Sequence, residues 1–375
     1  MILDKIISLD GDAMVASSSK IEITQAEEPI YEKITDFATE NDLFKNSGDP
    51  GGFRQLLSIL YGYSYKSSMR GIHFVVHLNG RLVGHYGGSY RLIKTPSGPC
   101  RSSLASNLVI KSGVNIPLFY VIQKHFRQAC KEAGYDCAYA ILTNPRLIGP
   151  HLRVGWVLCN EAYVHVRPLQ IDRFLIRSLP KVLALIIGKP FWACQRIFNL
   201  IFRKRQGSHT VSTFEEFDAT FDDLLVCWRS RRSVVSFRSI EELNWRFQAI
   251  AGRRYIKLCV VDGGVVQGYL VARLMNMKGV RAMAIVDFVS RDDGASVPNQ
   301  LLSKIVAIAQ NESAELLAVL MHPDSTDRRY FTKFGFFRSP FKFFFLARSV
   351  GRADAASLLK ADGGFSFTWY EHDFI

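Results

Sequence analysis

The sequence predicts an α+β protein of two tandem domains, each a mixed, mostly antiparallel sheet flanked by helices. Three observations carry this. Residues Asn107–Trp156 switch from strand to helix periodicity and back: S-N-L-V-I, the turn K-S-G-V-N, a helical run from Pro117 to Ala133, the apolar C-A-Y-A-I-L, and a closing H-L-R-V-G-W. The same order returns later as I-V-D-F-V, R-D-D-G-A-S, a helix opened by Pro298, L-L-A-V-L-M and T-K-F-G-F-F. The landmarks also keep their spacing: Gly84 and Gly268 are 184 positions apart, Asn107 and Asp287 180, Pro117 and Pro298 181, Pro145 and Pro323 178, and Gly155 and Gly335 180. Five landmarks in register mark a duplicated unit. The duplication divides the chain into a first domain at 1–166, a basic apolar linker at 167–212 and a second domain at 213–375.

In order, Lys20–Thr24 alternates as a half-buried strand and Pro29–Phe44 reads as a helix, with G-D-P-G-G breaking it at Gly48–Gly52. Phe53–Tyr65 is a second helical stretch. Asn79-Gly80 turns a hairpin between His73–Leu78 and Leu82–Tyr90, and T-P-S-G-P leads into a third strand ending at Ile110. In the helix that follows, Phe119, Ile122 and Phe126 form an apolar face, Pro117 suits the first turn and Gly134 ends it. Past the linker come a helical Phe214–Trp228, a hairpin turned at Asp262-Gly263-Gly264, a strand at Met283–Val289, a helix with Val297, Leu301, Ile305 and Ile308 on one face, and an aromatic final strand at Phe336–Arg348.

A chain of 375 residues with 48% apolar composition accommodates two ordinary cores. Its net charge is +13, and Arg167–Lys257, with seventeen basic and eight acidic residues, supplies much of it. Such a patch is either a solvated face or a contact for phosphate, anionic lipid or an acidic ligand. Within it, 174–205 mixes large apolar residues with basic ones and is split by Pro180 and Pro190. That composition fits a linker packed on both domains or a peripheral contact in a membrane interface; it is too broken to span a bilayer. The seven cysteines are scattered without a C-x-x-C pair, which argues against a zinc site and fits a reducing compartment. The N-terminus has acids among its apolar residues and no basic start, unlike a secretion signal. The expected location is cytoplasmic, with or without a peripheral hold on the inner membrane face.

The order hairpin-glycine, strand–turn–helix, strand, and short helix closing in Gly155-Trp156 or Gly335-Phe336 resembles the GNAT (N-acetyltransferase) superfamily in tandem arrangement, over roughly Ile21–Arg167 and Thr213–Arg348. L-N-W-R-F at Leu243–Phe247 resembles the lead-in to the second domain of tandem GNAT proteins from bacterial polysaccharide gene clusters. The resemblance implies an acyl-CoA-dependent N-acyltransferase that uses acetyl-CoA or another acyl-CoA, without a metal, on a small-molecule amine, for example an amino sugar. It leaves two alternatives open: a catalytically silent GNAT-fold protein binding a membrane or protein partner, and an aminoacyl-tRNA-dependent transferase of the Fem type. No recognised RNA motif supports a nucleic-acid partner.

In that superfamily the turn after the fourth strand holds the cofactor pyrophosphate on helix N-terminal amides. The corresponding residues are Val109, Lys111, Ser112, Gly113, Val114 and Asn115; the length is kept and most of the family's glycines are not. The second copy places Asp292 and Asp293 where phosphates would sit, which favours the first domain as the cofactor site. Backbone amides of Asn107–Ile110 are the expected oxyanion donors. Counting back from the closing aromatic gives His151 as a proton carrier in the first domain and Tyr330, beside Phe331, in the second. His151 has the alternative of a surface histidine. Asp287, a carboxylate within an apolar strand, is a base candidate or the partner of an arginine such as Arg246 or Arg281. Glu161, His165, Glu371, His372 and Asp373 are further titratable groups near strand ends.

Overall fold

Two tight turns set the hairpins. Asn79 (φ 52°) and Gly80 (φ 76°) are both left-handed, as are Gly263 (φ 55°) and Gly264 (φ 80°), the backbone pattern that joins right-twisted antiparallel strands in two residues. The first turn connects β2 (Ile72–Leu78) to β3 (Arg81–Thr95), and the second connects β9 (Tyr255–Asp262) to β10 (Val265–Met277). The structure is a computed structural model describing residues 20–26, 30–40, 54, 57, 71–111, 116–170, 210–248, 253–277, 279–291, 294–352, 354–359 and 368–371. Of the predicted helix Phe53–Tyr65, Arg54 and Leu57 are described, both helical. All of the basic stretch 174–205 and the loop Ser112–Asn115 lie outside the described residues.

The first repeat contributes β1 (Ile21–Gln25), α1 (Tyr31–Glu40), β2, β3, β4 (Gly98–Ile110), α2 (Ile116–Glu132), β5 (Cys137–Leu142), α3 (Ile148–Arg153) and β6 (Val157–Pro168). The second contributes β7 (Thr210–Thr213), α4 (Asp222–Ser230), β8 (Val235–Ser236), α5 (Ile240–Arg246), β9, β10, β11 (Val280–Ser290), α6 (Ser296–Asn311), β12 (Leu316–Met321), α7 (Arg328–Lys333), β13 (Phe337–Ser349) and α8 (Ala355–Leu359). The helix expected from Phe214 begins later. Asp218 accepts a hydrogen bond from Thr220 N at 3.0 Å and so caps a 3-10 turn, Ala219–Phe221, that runs into α4. Both ends of the predicted linker belong to strands, with Arg167 and Pro168 in β6 and Thr210–Ser212 in β7.

All strands join one sheet in the order β1-β2-β3-β4-β5-β13-β6-β12-β11-β10-β9-β7, with β8 paired to β3. The two repeats exchange their last strands. β13, from the second half, lies antiparallel to β5 (Phe344 opposite Leu142, Ser349 opposite Cys137), and β6, from the first, lies antiparallel to β12 (Tyr163 opposite Met321, Pro168 opposite Leu316). The exchange is matched residue by residue: buried Arg348 of β13 lies by Gly155 of the first half, and buried Arg167 of β6 stacks on Phe334 of the second, 4.8 Å from its ring centre.

Alternation along the strands sorts side chains to two faces. On one, α2 packs Ile122 and Phe126 on the first half together with Phe344 and Leu346 of the exchanged β13, and α6 packs Leu301 and Ile305 on the second. On the other, a single core crosses both halves, from Leu104 and Tyr139 to Trp228, Tyr269 and Tyr370. No helix among the described residues is long and apolar enough to cross a membrane.

Candidate active site

In each half the parallel strand pair comes apart. β4 and β5 stay in register from Ser102/Cys137 to Ala105/Ala140, and beyond that point β4 keeps only its β3 partner (Gly87 opposite Ser106, Gly84 opposite Ile110). β11 and β12 part in the same way after Ile285/Val319. A bulge in the outer pairing accompanies each split: β4 sets Asn107 and Leu108 against the single Tyr86 of β3, and β11 fits an extra residue, Val286, between the partners of Val271 and Ala272. Along the wedge, one edge of β4 presents backbone groups that β5 does not take up. The two hairpin glycines permit a close approach here: a Cβ on Gly84 would sit 3.0 Å from the Val109 carbonyl, and one on Gly268 2.9 Å from that of Val289.

The expected cofactor residues fall at the mouth of the first wedge. Val109 is buried in β4 opposite His85, and Lys111 is exposed, its backbone N–H bonded to the Val83 carbonyl at 2.8 Å. Arg291 makes the equivalent bond to Gln267 in the second half. α2 starts just beyond with no acidic residue in its first turn, which leaves its positive end available to an anion.

His151 sits beneath this helix. Asn144 caps the 3-10 turn Pro145–Leu147, α3 follows, and Gly155 (φ 87°) ends it while the His151 carbonyl accepts the backbone N–H groups of Val154 and Trp156. Its ring is 2% exposed, edge-on to Phe119 at 5.0 Å and to Trp156 at 5.7 Å. It is therefore not a surface histidine. Trp156 is itself held by an Nε1–H bond to buried Gln123 at 2.9 Å. Nδ1 lies 2.7 Å from the Leu147 carbonyl, which can only accept, so Nδ1 carries the proton and the Nε2 lone pair remains. Burial lowers the imidazole pKa against the opposing pull of Leu147, favouring the neutral, proton-accepting form.

The same socket in the second half holds Phe331, edge-on to Phe288 at 5.3 Å and Phe336 at 5.2 Å. Tyr330 beside it is buried, and its hydroxyl accepts from Arg329 at 2.8 Å. The open groove nearby is walled by Pro323, Ser325, Arg328 and Arg329.

Asp287 is fully buried on β11, and three donors hold it: Arg238 Nε and Nη2, each at 2.9 Å, and the Tyr269 hydroxyl at 2.7 Å. Three donors so placed make it the partner of a buried ion pair. The partner is Arg238, not Arg246 or Arg281. Arg238 is clamped between the rings of Trp228 (4.2 Å) and Tyr370 (4.3 Å) and also lies 3.6 Å from Glu371. Burial pushes the Glu371 carboxyl up to about 7 although Arg238 opposes it. The sequence carries a signal for Arg238: an arginine directly after the strand-like S-V-V-S-F calls for a buried acid.

The remaining candidates are structural in their contacts. Glu161 pairs with Lys342 at 3.0 Å across the exchanged strands and accepts from the Tyr163 hydroxyl at 2.8 Å, while His165 Nδ1 meets the Tyr163 carbonyl at 3.1 Å. His372 and Asp373 lie outside the described residues. No cluster of metal-ligating side chains occurs among the described residues.

No protein-family profile and no curated protein matches the sequence. Solved structures do match the fold. A Saccharomyces cerevisiae N-myristoyltransferase with bound myristoyl-CoA superposes with a TM-score of 0.62 at 11% identity, over 89% of this chain and 83% of that one. A conserved Enterococcus faecalis V583 protein described as a probable N-acyltransferase gives 0.58 at 9% identity, over 88% and 73%. A GCN5-related N-acetyltransferase from Anabaena variabilis ATCC 29413 gives 0.59 at 9%, again over 88% and 73%. The fold is thus that of tandem GNAT-like domains.

Proposed function

We propose that the chain is an acyl-CoA-dependent N-acyltransferase whose chemistry resides in the first half. The observation that carries this is His151: a buried, neutral imidazole with its Nε2 lone pair free, set beneath the helix that starts at the mouth of the β4/β5 wedge. The residues present fit an acyl-CoA in this half. The wedge bares one edge of β4, Gly84 lets β3 lie close against the Val109 carbonyl, and the mouth carries Lys111 and a helix start without acids. The solved N-myristoyltransferase of the same fold holds myristoyl-CoA, which supports the choice of cofactor.

The acyl-CoA would supply the activated thioester. Backbone N–H groups of Asn107–Ile110 would hold the acyl carbonyl oxygen as negative charge develops on it, and Lys111 with Ser112, Gly113, Val114 and Asn115 would hold the phosphates. His151 would accept the proton that the amine must lose on attack. The acceptor class that fits the sequence resemblance is a small amine, an amino sugar in polysaccharide assembly among them. Melting curves with a panel of acyl-CoAs test the cofactor, since a ligand that binds only the native state raises Tm. A rise with at least one acyl-CoA is expected, and no shift at millimolar acetyl-CoA or longer acyl-CoA overturns the reading.

A further inference from the structure

The second half contains an arginine that the proposed chemistry does not use. Arg273 lies on β10 directly opposite Tyr255 of β9, on the sheet face shared with Tyr269 and Val271. It is 9% exposed, and its Nε and Nη1 are buried without a hydrogen-bond partner. No carboxylate of the described residues lies within ion-pair distance of it. Asp287 and Glu371 point elsewhere, to Arg238. Leaving a buried guanidinium without an anion is costly, so a partner is expected.

The surroundings add positive charge. Arg246, in the last turn of α5, is 6% exposed, and Arg253 precedes β9 with its charge acting on Tyr255. Phe247 packs on Tyr255 at 5.2 Å and closes one side. Burial alone would raise the Tyr255 pKa, yet Arg246, Arg253 and Arg273 together bring it below the ordinary value. A phenol shifted in that direction is one with cations close to it.

We infer that Arg273, with Arg246 and Arg253 around Tyr255, forms a binding site for a small oxyanion, a carboxylate or a phosphate group. A planar guanidinium offers either group two parallel N–H donors, and the low polarity around Phe247 strengthens the bond. The site is separate from the first-half wedge and does not depend on the acyltransferase reading.

The test uses the full chain and two readouts. Melting curves are recorded in phosphate and sulfate, in acetate and succinate, and in chloride at matched ionic strength. The phenolate absorbance near 295 nm is titrated in parallel, with Y255F identifying the Tyr255 contribution. The site predicts a concentration-dependent rise in Tm with the oxyanions beyond that in chloride, and an upward move of the Tyr255 titration as the bound anion offsets the arginines. The phosphate and carboxylate arms show which class binds. R273Q should fold without loss of Tm in chloride, because it removes an uncompensated charge, and should lose both responses; H151F should keep them. Equal Tm in all salts for the wild type, or an undiminished response in R273Q, overturns the proposal.

Discussion

The two halves share one backbone plan and differ where chemistry would take place. Each splits its parallel strand pair, bulges the strand beside the split, and seats one ring in an aromatic socket above a left-handed glycine. In the first half that ring is His151, neutral and hydrogen-bonded so that one nitrogen is left to accept a proton; in the second it is Phe331. Asp287 takes the position of Asn107 and, together with Arg238, Tyr269 and the buried turn Trp369–Glu371, fills the face of its wedge with core. The duplicated plan thus carries an imidazole in the first socket and a buried ion-paired cluster beside the second wedge. Because β6 and β13 are exchanged, neither half could be excised without removing a strand from the other.

The sharpest way to break this comparison is to import one half's ring into the other. H151F should lower kcat by about 100- to 10,000-fold, the usual worth of a positioned proton carrier, with little change in Tm, while F331L leaves turnover intact. Steady-state acylation followed by CoA release checks both. In the wild type the lowered His151 pKa keeps the base form present below pH 6.5, so activity should fall only at more acidic pH.

D287N should do the reverse. Removing one charge from a fully buried pair leaves Arg238 with Glu371 alone, and the loss should be on the order of 3 kcal/mol in denaturant unfolding, with turnover per folded molecule unchanged. A smaller effect separates the halves by pH. Glu371 has a folded pKa of about 7, above its ordinary 4.5, so its contribution to stability is fully present below pH 4.5 and is lost as pH rises through 7. E371Q should remove that decline between pH 5 and 7, measured as Tm against pH. The smallest expected change is shared: G155A and G335A, at φ 87° and 86°, should each cost about 1–2 kcal/mol, and unequal losses would show that the two sockets are not equivalent.

Much of this architecture was legible in the chain because it is local. The Asn-Gly and Gly-Gly turns, the apolar faces of α2 and α6, and the glycines ending α3 and α7 write their conformations within a few residues. The strand exchange was not, since β6 and β13 read identically whichever half they join; only tertiary pairing distinguishes them. The site divides along the same line. His151 could be found by counting back from Trp156, but its burial depends on Phe119, from another helix. Asp287 could be recognised as a buried acid, but Arg238 lies 49 positions away, and proximity in the fold, not in the chain, selected it over Arg246 and Arg281.

The central claim is that the first half alone engages the acyl donor. Hydrogen–deuterium exchange with and without a binding acyl-CoA tests it directly, because amide protection reports which wedge the ligand enters. The account predicts new protection in 104–142, covering β4, α2 and β5, and none in 285–321; protection centred on β11, α6 and β12 would contradict it.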